Sequence, residues 1–334
     1  FIKASNPDIS DDFGASVSIS GDGMTLAVGA PGEDGAYSQS AADQNDNSAS
    51  NAGAVYVFAL TDSTWSQQAY LKDGNSIAND RFGNNLSLSD DGDTLAISRT
   101  GWDAGTGGNA AGSVLVFYRT NTTWDIAGGF SYSYSNLIAS NPGSQDGFGD
   151  SLSLSGDGNT LAVAAPSEDS NATGIGGDQS NNDLTNSGAV YIFTRSGKVW
   201  SQQAYLKSSS TGDRDYFGTS VSLSDNGNTL VASSYLEDGN AIGMGGDTSN
   251  NSATNSGAAF VFSRTGSSWS ETDYVKSNNT EAGDCFGRNS KSVNISDDGK
   301  TLAVGNYCED SNATGIGGDE TDNSATNSGA VYIY

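Results

Sequence analysis

The chain has 334 residues, 40 acidic against 14 basic, with 44 glycines, no histidine and only 35% hydrophobic residues. A net charge of −26 leaves too few Lys and Arg for phosphate contacts and repels an anionic membrane surface, which excludes a nucleic-acid partner. No apolar run is long enough to span a bilayer, so direct membrane insertion is not expected, and short apolar alternations broken by Gly, Asn and Asp read as an all-β chain.

In chain order, Phe1-Ile2-Lys3 comes first, with Lys3 ten residues before Phe13. Phe1 falls where a strand is already under way, which fits a processed or trimmed chain. A Phe-Gly pair then recurs at Phe13, Phe82, Phe148, Phe217 and Phe286, at intervals of 69, 66, 69 and 69 residues. A fixed period of this size marks a repeat architecture, in which each unit buries its faces against its neighbours.

Each unit carries four strand signals. An alternation such as Ser151-Leu152-Ser153-Leu154-Ser155 meets a tight turn (Asp22-Gly23, Asp91-Gly92, Asp157-Gly158, Asn226-Gly227 or Asp298-Gly299), the signal for a two-residue hairpin. The second strand is of the form Thr160-Leu161-Ala162-Val163. After a long loop comes the third, Ala54–Phe58 and its copies. The fourth begins at Trp65, Trp124, Trp200 or Trp269, and three copies end in Lys72, Lys207 and Lys276, each ten residues before the next Phe-Gly. Small residues on the first two strands and Tyr, Phe and Trp on the outer two suit a wedge that widens outward, the packing of a radial propeller.

These observations predict one domain over residues 1–334: a five-bladed β-propeller of four-stranded antiparallel blades. The blades are about 13–72, 82–139, 148–207, 217–276 and 286–334. The last is completed by residues 1–4, because the N-terminus reads as a fourth strand lacking its first three and the C-terminus supplies them. Unit two departs from the pattern: its long loop is shortened, and an insertion carrying Phe130, Tyr132 and Tyr134 predicts an extra or extended strand.

The run FGASVSISGDGMTLAVGAPGEDG, followed by GAVYVF, resembles the FG-GAP repeat of integrin α-subunit propellers and of bacterial surface proteins. The resemblance covers all five units. It implies a β-propeller, and a family in which propellers serve adhesion, ligand binding and scaffolding alike. The aspartate-rich calcium loop of the integrin-like repeats has no counterpart, since the connection between strands one and two is only a short turn such as Ser155–Thr160.

Between strands two and three, four units keep one loop length, from Glu33 to Gly53, Glu168 to Gly188, Glu237 to Gly257 and Glu309 to Gly329. Each holds a Glu-Asp pair (Glu33-Asp34, Glu168-Asp169, Glu237-Asp238, Glu309-Asp310), a later acid (Asp43, Asp178, Asp247, Asp319) and two asparagines. Hard oxygen donors at glycine-rich bends are what Ca²⁺ prefers, so these acids are candidate calcium ligands; the same residues also serve as turn formers. Cys285 and Cys308 fall across one antiparallel pair and are candidates for a disulfide, or two inert thiols. Trp102, in the shortened loop, is the candidate for stacking a ligand, against local packing.

No histidine base, nucleophile motif or acid pair marks an enzyme. The sequence therefore predicts a non-enzymatic extracellular or cell-surface propeller for binding or adhesion. Its partner would be a protein or glycan ligand, or copies of itself in a surface assembly. A structural subunit of a surface layer or filament is the alternative, and a carboxylate-only glycan-active enzyme the lesser one.

Overall fold

In a computed structural model, the structure describes residues 1–38, 41–42, 44–103, 110–126 and 136–334. The described residues contain no helix, and their main sheets are five antiparallel blades of a β-propeller. Two compact units contain them: Phe1–Leu161 with Thr194–Ser201, and Ala162–Phe193 with Gln202–Tyr334.

The first blade comprises β1 (Ser16–Ile19), β2 (Thr25–Ala30), β5 (Ala54–Thr61) and β6 (Thr64–Leu71), paired in that order, with the small hairpin β3 (Tyr37–Ser38) and β4 (Ala41–Ala42) in its long loop. The second holds β7 (Phe82–Leu88), β8 (Thr94–Arg99), β9 (Ser113–Thr120) and β10 (Thr123–Ile126); β11 (Asn136–Leu137) also pairs with β9. The third is β12 (Ser151–Leu154), β13 (Thr160–Ala165), β14 (Ala189–Ser196) and β15 (Val199–Leu206). The fourth is β16 (Val221–Leu223), β17 (Thr229–Ser234), β18 (Ala258–Thr265) and β19 (Ser268–Val275). The fifth has three strands, β20 (Val293–Ile295), β21 (Leu302–Asn306) and β22 (Ala330–Ile333).

Local chemistry explains the period. At the first hairpin, Ser20 Oγ donates to Asp22 Oδ1 at 2.6 Å while accepting from Thr25 N, and Gly23 takes the left-handed conformation at φ +70°. At the loop end, the amide of Phe217 donates to Ser187 O at 3.0 Å, docking the next repeat's Phe-Gly on Gly188. A Cβ on Gly188 would meet Phe217 O at 2.2 Å, and its φ is +82°, so no other residue fits.

The phenylalanine so placed is the knob of the blade interface. Phe82 packs on Ala27, Val55 and Val57 of the preceding sheet, and Phe217 on Val190 and Ile192. Each is fully buried, and such burial contributes about 1.5–3 kcal/mol.

Two expectations need correction or fall outside view. Phe1–Ala4 form no strand in the fifth blade; instead Ile2 and Ala4 pack against Val28, Ala30, Tyr56 and Phe58 of the first, because apolar burial there is available without strand pairing. The strand expected around Phe130, Tyr132 and Tyr134 lies outside the described residues.

Candidate functional site

The glutamates of the long loops turn inward. Glu33 Oε2 pairs with Lys72 Nζ at 2.7 Å and Glu33 Oε1 accepts the Tyr70 hydroxyl at 2.7 Å. Glu237 repeats this with Lys276 and Tyr274, both at 2.9 Å. Glu168 meets Lys207 at 3.0 Å, and Tyr205 reaches Ser170, which itself donates to Glu168. Both charges of each pair are almost wholly buried. Burial drives the lysines below their usual range and the glutamates oppose it; burial and the same glutamates push the Tyr70 and Tyr274 phenols far up. The pairs pin the start of each loop to the outer strand.

The remaining loop acids serve the loop itself. One carboxylate oxygen each of Asp34, Asp169, Asp238 and Asp310 accepts the amide of Asn51, Asn186, Asn255 or Asn327 at 2.7–2.8 Å. Those asparagines sit at φ +51° to +56°, the left-handed region that Asn tolerates, which accounts for their recurrence. Asp178, Asp247 and Asp319 are exposed and cap Ser180, Ser249 and Thr321, whose hydroxyls hold these carboxyls below the usual range. Asp43 lies outside the described residues. Among the described residues no three acids or cysteines gather as metal ligands, so the eleven described candidate calcium ligands are not brought together into sites.

Blade two shows the same positions with a different solution. Trp102 stands where the others have the glutamate, Ile138 where they have the lysine, and Arg99 carries the charge, paired with Asp73 and 3.7 Å from Asp80. The guanidinium lies 5.1 Å from the Trp102 ring centre, so one face of the proposed stacking platform is already occupied.

Cys285 and Cys308 are free thiols, and the expected bridge is not formed. Burial, and then the adjacent Cys308 thiol, push Cys285 up to about 11, which keeps it protonated and inert.

An open concavity of about 630 Å³ lies in the first unit, with Asn79, Arg81, Thr100, Asp103, Gln145 and Asp150 on its wall. Asp150 follows the third Phe-Gly pair at the entry to β12. Its carboxylate packs on Gly147, where a Cβ would lie 2.4 Å from Oδ2. Burial alone pushes its carboxyl up to about 6. Its main-chain oxygen is held by Asn85 Nδ2 at 2.7 Å, which fixes the backbone beneath the side chain. Sequence reasoning missed it. The signal was a departure from the repeat, since the matching positions hold Ala15, Asn84, Thr219 and Arg288.

The family profile described as FG-GAP repeat matches residues 2–58, 133–193 and 200–262. No curated protein matches the sequence. Among solved structures, a Pseudomonas aeruginosa periplasmic gluconolactonase is similar at 14% identity and a TM-score of 0.47, over 87% of this chain and 64% of that one. A putative 6-phosphogluconolactonase from Bacteroides uniformis is similar at 14% identity and 0.46, over 96% and 88%. With chains of similar fold named as enzymes, the expectation of a non-enzymatic protein, whether adhesion propeller or structural subunit, is withdrawn. The likeness itself assigns no activity.

Proposed function

The chain belongs to the FG-GAP repeat family, and on that scaffold we propose a hydrolytic site at the Asp150 cleft, acting on a small, polar, uncharged ester. The observation that carries it is Asp150 itself: a carboxyl that burial pushes up to about 6, placed on the wall of an open cleft. A carboxylate of that basicity activates water near neutral pH far better than an ordinary aspartate.

The same wall supplies the other parts. Arg81 offers a guanidinium to an oxyanion, and Asn79, Gln145 and Thr100 offer hydrogen bonds to polar substituents. A single raised carboxyl with a cation suits ester cleavage, in which water attacks the carbonyl and the alkoxide departs with a proton. Cyclic esters belong to this class.

The test is turnover of a panel of small aryl esters and lactones by the intact chain and by Asp150→Asn. Activity should rise with pH through a midpoint near 6 and fall about 10²–10⁴-fold in the variant, with its melting temperature unchanged. Equal turnover by both proteins, or none by either, would overturn the reading.

A further inference from the structure

The Asp150 cleft is lined wholly by residues of the first compact unit, and the other repeats serve as an internal control on its wall. Two wall positions break the repeat in the same direction. In the turn ahead of each Phe-Gly, a buried aspartate accepts the amide of the third residue before it. Asp11 accepts from Asp8, Asp80 from Ile77, Asp146 from Gly143, Asp215 from Gly212 and Asp284 from Glu281, at 2.7–3.2 Å. Four copies thus build the turn with an acid or a glycine, so its backbone does not require an apolar side chain. The second copy nevertheless presents Ile77, half exposed on the cleft wall and tied there again by Asp80 N to Ile77 O at 3.3 Å.

The second position is Ala110. The other four repeats place Asn51, Asn186, Asn255 and Asn327 there, at φ +51° to +56°. Ala110 keeps φ +56° without the short polar side chain that makes this conformation tolerable. In two of the other repeats the amide reaches the next turn, Asn51 Nδ2 donating to Asn79 Oδ1 at 3.4 Å and Asn186 Nδ2 to the Tyr216 hydroxyl at 3.1 Å. A methyl group in place of that amide leaves the space to the cleft, which Ala110 lines. Backbone strain of this kind persists where a site gains by it.

A single exposed isoleucine needs no explanation. Two polar-to-apolar departures, drawn from separate segments and meeting in one cleft beside Ala78, call for one. We propose that Ile77, Ala78 and Ala110 form an apolar subsite for a short saturated arm of the ester. The substrate class is then an uncharged ester that joins one aliphatic arm to one polar arm, the polar arm falling to Asn79, Thr100 and Gln145. For the reaction this rests on the Asp150 reading; the subsite stands on the departures from the repeat.

Two ester series test it, one lengthened from acetyl to hexanoyl on the acyl side, the other from methyl to hexyl on the alcohol side, which identifies the arm that enters. In one series kcat/KM should rise about two- to fourfold for each added methylene. Ile77→Ser and Ala110→Asn should each flatten that rise. Ala110→Asn, which restores the residue of the other four repeats, should also melt no lower than the parent chain. A rise unchanged in both variants, or no rise in either series, would overturn the subsite while leaving Asp150-dependent turnover intact. If no ester is cleaved, binding of butyramide, followed through the Ile77 methyl signals by NMR, separates the two claims. A saturable shift that Ala110→Asn abolishes would uphold the subsite although the hydrolytic reading had failed, and the absence of any shift would overturn both.

Discussion

Lys207 shows what a buried charge requires: Glu168 Oε2, Ser170 O and Ser187 Oγ all lie within 3.0 Å of its ammonium. Removing one partner of such a pair strands the other, so Lys207→Met should cost about 3–5 kcal/mol in a denaturant melt. Adding Glu168→Leu should recover most of that loss, as blade two does with Trp102 and Ile138. Asp215 gives a pH effect of known sign. Burial, and then Glu237, raise its carboxyl to about 7. The folded chain therefore keeps this proton to higher pH than the unfolded chain, and stability falls as pH climbs from about 4 to about 7. Asp215→Asn should flatten that slope by on the order of 2–4 kcal/mol across the window, read from melts at pH 4.5 and 8. At this scale the sequence was only partly legible. The three lysines and four glutamates were visible as repeats, but their pairing spans 39 residues and becomes plain only when the outer strand folds back over the loop. Asp150 showed in the sequence only as a departure from the repeat, and its basicity comes from what buries it.

The strands were far easier to read, because period-two alternation, the Asp-Gly turns and the tryptophan at the head of β6, β10, β15 and β19 each have a direct backbone meaning. The third-strand glycine had a hidden reason. It exists to let the next repeat's backbone pass, as the 2.2 Å approach of Phe217 O to a Gly188 Cβ shows. Gly188→Ala should therefore loosen the joint between two repeats and cost about 2–4 kcal/mol, combining the positive φ with the overlap. A normal melt for that variant would mean the joint yields freely. The terminal segment misled for a related reason: its Phe-Ile-Lys pattern matches an outer strand, yet apolar contacts of Ile2 and Ala4 with the first blade hold it without any ladder.

Across the whole molecule, with its net charge of −26, the acids of the long loops were the candidate calcium ligands. The described loop acids are held by lysines, by backbone amides and by neighbouring hydroxyls, so no ligand set stands ready among the described residues. Ca²⁺ should accordingly raise the melting temperature no more than NaCl at matched ionic strength, as screening of self-repulsion alone would do. A larger calcium effect would show a site that forms only on binding. The account of function rests on one proton. Carbon-13 NMR titration of the aspartate carboxyls, with Asp150→Asn to assign the signal, measures it directly. A midpoint near 6 for Asp150 is the predicted result, and one near 4, the value of an ordinary solvated aspartate, would contradict a base at the cleft.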